Sequence, residues 1–132
     1  MLVSVEVKYI DSFSAKPLDP QRYRHHLDAV GLTPEATQQI VAAGGSQFLR
    51  SVLLTESVRR SGLRKGPGVD QCLSVVLARD EDGAADKVVQ IISDLAAGAQ
   101  VARWSHAQLL TVAAQRPGLA DWAHRMRRRY VP

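Results

Sequence analysis

The run Cys72-Leu73-Ser74-Val75-Val76-Leu77-Ala78 decides the fold. Both alternating sets of side chains are apolar apart from Ser74, the pattern of a strand covered on both faces. Such a strand needs layers above and below it, and the flanking sequence reads as helices. Upstream, Lys65-Gly66-Pro67-Gly68 forces a turn. Before it, Ser46 caps a helix that places Phe48, Leu49, Val52, Leu53 and Val58 near one stripe and that Ser61-Gly62 closes. Downstream, the acidic turn from Asp80 to Gly83 leads into a helix with Ala85, Val88, Val89, Ile92, Leu95 and Ala96 on one face, ended by Gly98.

Further from the centre, helix starts are written in capping chemistry. Asp19-Pro20 and Thr33-Pro34-Glu35 each put a side-chain acceptor at the N-cap and proline in the first turn, and Gly31 and Gly44-Gly45 stop the helices that follow. Ser105 and Gln108 stand in capping-box spacing, opening a helix that runs to Arg116-Pro117-Gly118. The last helix, about 119–130, sets Leu119, Trp122, Ala123, Met126 and Tyr130 on an inner face and its arginines mostly outside.

At the amino end Val3, Val5, Val7 and Tyr9 alternate with Ser4, Glu6 and Lys8, which predicts a strand with one buried face. The expected fold is therefore α/β, with α+β as its variant. One domain over 1–132 holds a small sheet, strands about 2–10 and 72–79, packed by about six helices. A two-stranded sheet is marginal in water. The sheet is expected to be completed by a second copy or a partner at the first strand, which reads as an edge.

Composition bounds the function. In 132 residues, 45% hydrophobic, no segment approaches the roughly 18 consecutive apolar residues of a membrane span. Charges interrupt the amino end where an export signal would be unbroken, so a cytoplasmic protein is expected. Cys72 has no partner for a disulfide and reads as a small core residue. The histidines His25, His26, His106 and His124 show no metal-ligand spacing, and Ala84 stands where an EF-hand loop starting at Asp80 wants an oxygen ligand. Gly62 to Gly68 has the glycines and cations of a phosphate loop in the wrong order for a Walker A motif, ahead of a strand. No catalytic, cofactor or metal residue is assigned on these grounds.

Charge is the more telling feature. The chain carries +4 overall, but 116–132 and 50–65 are each +4 while 66–98 is −4. The candidate binding surface is basic: Arg59, Arg60, Arg64 and Lys65, with Arg125, Arg127, Arg128 and Arg129. Two resemblances accompany it. Gly45-Ser46-Gln47-Phe48-Leu49-Arg50 resembles the second helix of ribbon–helix–helix regulators. A strand, then helices ending at Ser61-Gly62-Leu63, then Val75-Val76-Leu77 resembles the opening of ketosynthase-type thiolase folds, and fold alone does not transfer function. The expected function is a non-enzymatic interaction or regulatory module, self-associating or protein-bound, that presents its basic surface to an acidic partner. Its alternatives are a nucleic-acid-binding regulator using the arginine-rich last helix and a small biosynthetic enzyme or acyl-carrier-linked accessory with a site assembled from distant residues.

Overall fold

A computed structural model describes residues 1–8, 17–62 and 68–131 of the chain. The elements run β1 (Leu2–Val7), α1 (Pro20–Ala29), α2 (Pro34–Ala42), α3 (Ser46–Ser61), β2 (Cys72–Ala78), α4 (Gly83–Leu95), β3 (Val101–Ser105), α5 (His106–Ala114) and α6 (Ala120–Tyr130). Among the described residues the fold is α/β, with six helices and a sheet of order β1-β2-β3. Both strand pairs are parallel, Leu2 opposite Cys72 and Ser74 opposite Val101. Parallel neighbours need crossovers, and α1–α3 and α4 provide them.

The capping signals produce the helix starts they predict. Asp19 accepts from the backbone of Gln21 and Arg22, Thr33 from Ala36, and Ser105 and Gln108 close a full capping box. The third helix differs: its N-cap is Gly45 and Ser46 is its first residue, with no side-chain cap. Close approach explains the glycine, because a Cβ at position 45 would lie 2.9 Å from Ile40 Cγ2 and 3.1 Å from Val88 Cγ1.

The run Cys72–Ala78 is the central strand, as its two apolar faces require, and β1 lies at an edge. The third strand comes from the chain itself. Val101-Ala102-Arg103-Trp104-Ser105 mixes small, charged and aromatic residues and carries no apolar run, so the sequence reads there only as the approach to a helix. Burial explains the main core: Phe48, Leu49, Val52 and Leu53 of α3 and Val88 and Ile92 of α4 pack with Val76 and Ala78, with Leu27 and Ile40 in the layer beyond.

Strand β1 departs from expectation in phase. The alternation is present, but the face turned to the helices is Ser4, Glu6 and Lys8, while Val3, Val5 and Val7 are 38%, 50% and 52% exposed. The reason lies on α3. Its Gln47, Ser51 and Thr55 meet Lys8, Glu6 and Ser4 in turn, so the helix runs antiparallel to the strand. Two residues of strand advance about 6.6 Å and four of helix about 6 Å, so each rung meets its partner. Ser4 Oγ is also within hydrogen-bond distance of Ser74 Oγ of β2, at 3.0 Å. Period can be read from a sequence, but phase depends on what the covering helix offers. On the other sheet face, α5 and α6 pair through Leu110, Ala113 and Ala123. A cavity of about 160 Å³ separates that hairpin from Val7 and Leu77, walled by Leu109, Trp122, Met126 and Tyr130.

Candidate functional site

The carboxyl end of β1 meets the amino end of α3 around two charged side chains. In parallel sheets this is the end where ligands bind, since the crossover loops open there. Glu6 points under the helix, and Lys8 follows it on the same face because strand side chains repeat every second residue. Lys8 Nζ lies 3.3 Å from Glu6 Oε1, with side chains only 6% and 11% exposed. Lys8 also donates to Gln47 Oε1 at 3.2 Å, and Ser51 Oγ donates to Glu6 Oε2 at 3.0 Å. The Lys8 backbone N–H continues the ladder to the carbonyl of Leu77. A cation and an anion are thus held side by side in a water-poor setting, where their fields are screened little.

The other predicted residues fall elsewhere. Arg59 donates to Glu56 Oε2 at 2.8 Å, and the buried Glu56 accepts the Cys72 thiol on its other oxygen at 2.7 Å. Burial pushes that thiol up to about 11, with the Glu56 carboxylate acting in the same direction, so Cys72 remains neutral at pH 7. A neutral, covered thiol is a core residue, not a nucleophile. Arg60 ties to the carbonyl of Ala29 at the end of α1. Both arginines lie near the far end of α3, about 18 Å along its axis from Gln47 at the usual helical rise. Arg64 and Lys65 lie outside the described residues.

Arg125, Arg127, Arg128 and Arg129 are all exposed along α6. Arg127 anchors to Thr111 and Ala107 of α5, and Arg129 lies over the Tyr130 ring at 5.3 Å. Because Met126 and Tyr130 share a cavity with Val7, this helix sits at the same end of the sheet as Lys8, across the other face. His106 lines that cavity; burial lowers its affinity for a proton, with Arg103 and Arg79 acting in the same direction against Asp80.

The PD-(D/E)XK nuclease superfamily matches residues 1–132. The chain belongs to this superfamily. No curated protein and no solved structure matches it. The second half of the family's motif, an acid, any residue and a lysine, is present as Glu6-Val7-Lys8. Among the four lysines only Lys8 has an acid two positions earlier, and none of the six prolines precedes an aspartate. The superfamily match overturns the expectation of a non-enzymatic interaction module, because it points to an enzymatic, nuclease-type fold over the whole chain.

Three residues of the form acid-x-lysine are too short to stand out in a sequence, and the assumed phase of β1 turned them towards solvent. The usable signal was on α3, where Gln47, Ser51 and Thr55 form a polar stripe at four-residue spacing. Nucleases commonly work with divalent cations, which take six or more oxygen ligands, carboxylates prominent among them. Among the described residues no group of three His, Cys, Asp or Glu comes together, and the two Glu6 oxygens face Lys8 and Ser51. These residues alone do not fit a cation site. No helix among the described residues is long and apolar enough to cross a membrane.

Proposed function

We propose that the chain is a nuclease that hydrolyses nucleic-acid phosphodiesters at Glu6 and Lys8. The observation that carries this reading is the pairing of the two motif residues at 3.3 Å on the covered face of β1, each held by a different side chain of α3. Hydrolysis adds the oxygen of water to phosphorus, breaks one ester P–O bond, and leaves a phosphate monoester and a hydroxyl. Negative charge spreads over the phosphate oxygens as this happens, and a preorganised ammonium such as Lys8 stabilises it most where water is scarce. Glu6 is the group that accepts the proton of the attacking water, and that proton later serves the departing oxygen. The exposed arginines 125, 127, 128 and 129 supply phosphate contacts at the same end of the molecule.

The test is cleavage of fluorescently labelled single-stranded and duplex DNA in magnesium-containing buffer. Wild-type chain should cut, and Lys8→Ala and Glu6→Gln should each lose roughly a hundredfold or more in rate while binding the same DNA. Cleavage that survives Lys8→Ala unchanged would sink the assignment.

A further inference from the structure

We propose that Ser51 is a positioning residue of this centre: its hydroxyl fixes the rotation of the Glu6 carboxylate plane and so the angle at which that carboxylate meets Lys8. The inference rests on the reading of Glu6 and Lys8 as the reacting pair. A glutamate carboxylate held at one oxygen still turns about its last side-chain bond, where the preference is broad and two-fold. Here Oε1 is held by Lys8 and Oε2 by Ser51, so both ends of the group are tied.

The Ser51 bond is not what a helix supplies by default. A hydroxyl within a helix has a nearby acceptor in the carbonyl four residues back, and Thr37, Thr55 and Thr111 all use it, donating to Thr33, Ser51 and Ala107. Ser51 donates across to the strand instead. Its own backbone is pinned meanwhile, because Thr55 Oγ1 is 2.7 Å from the Ser51 carbonyl and 2.8 Å from Ser4 Oγ. The helix therefore cannot slide along β1 without breaking the rung below, and the hydroxyl is delivered at a set height over Glu6. Ser51 acts through Glu6 and has no part in holding phosphate.

Ser51→Ala, Ser51→Thr, Glu6→Asp and the Ser51→Ala/Glu6→Asp pair, assayed on the labelled DNA, test this. Ser51→Ala should lower kcat roughly 10- to 100-fold, the scale of a lost hydrogen bond to a charged group, with KM within about twofold. The thermal midpoint should fall by no more than about 10 °C, which leaves the variant folded in the assay, and Ser51→Thr, which keeps the hydroxyl, should recover most of the rate. In the Glu6→Asp background, where the shorter acid falls out of reach, Ser51→Ala should change kcat by less than about threefold. A kcat for Ser51→Ala equal to that of an active wild type overturns the inference alone. A rise confined to KM also overturns it, by making Ser51 a substrate contact. A wild type that cuts no DNA overturns the nuclease reading and takes this inference with it.

Discussion

At the scale of single residues, the cysteine shows how environment decides chemistry. Cys72 sits at the start of the central strand, 4% exposed, with its sulfur against a buried carboxylate. Burial, reinforced by Glu56, lifts its titration from 9.0 to about 11. In the unfolded chain the thiol loses its proton near the lower value, while the native protein keeps it to the higher one. Stability is therefore unaffected below pH 9 and falls as pH rises from 9 towards 11, since the unfolded state sheds protons first. Urea midpoints measured across that window should drop more steeply for wild type than for Cys72→Ala. The sequence alone marked this thiol as a small core residue with no disulfide partner. It did not show Glu56 and Arg59 as its neighbours, because residues 13 and 16 positions away meet Cys72 only after α3 has docked.

At the scale of elements, α3 does the most to build the site, and its entry is set by Gly45. The missing side chain lets Ile40 Cγ2 and Val88 Cγ1 close to within 2.9 and 3.1 Å of where a Cβ would be, and both belong to packed helices. Gly45→Ala should cost about 1–3 kcal/mol in chemical denaturation, the range for overpacking a filled core. It should also blunt cleavage, because Gln47 lies two residues on. The elements whose cues are local were legible: the twice-covered strand Cys72–Ala78, the caps at Asp19 and Thr33, and the box at Ser105 and Gln108. The elements whose identity depends on a distant neighbour were not. Strand β3 is recruited by pairing with β2, and β1 takes its phase from the polar stripe of α3. The candidate site was illegible for the same reason, since Glu6 and Lys8 gain meaning only when their face is covered.

At the scale of the whole molecule, the arginines of the last helix and the proposed centre share one end of the sheet. The arginines of α6 stand across the sheet from Lys8, while Arg59 and Arg60 are drawn into bonds near the far end of α3. Replacing Arg125, Arg127, Arg128 and Arg129 with alanine should weaken DNA binding and flatten its salt dependence, leaving turnover at saturating DNA near wild type. Fluorescence anisotropy at about 50 and 200 mM salt checks this, because each lost phosphate contact removes about one released counterion from the slope. Lost turnover at saturation would move the arginines into the reacting centre. The inverted face of β1 has a last consequence, which concerns how the chain finds its fold. Shifting the strand by one residue would bring Val5 and Val7 under α3 and turn Glu6 and Lys8 to the opposite, half-exposed face, a placement that hydrophobicity alone prefers. The native arrangement prevails through its hydrogen-bonded rungs, so β1 is a locally frustrated segment, and a slipped strand is the natural competitor on the folding landscape.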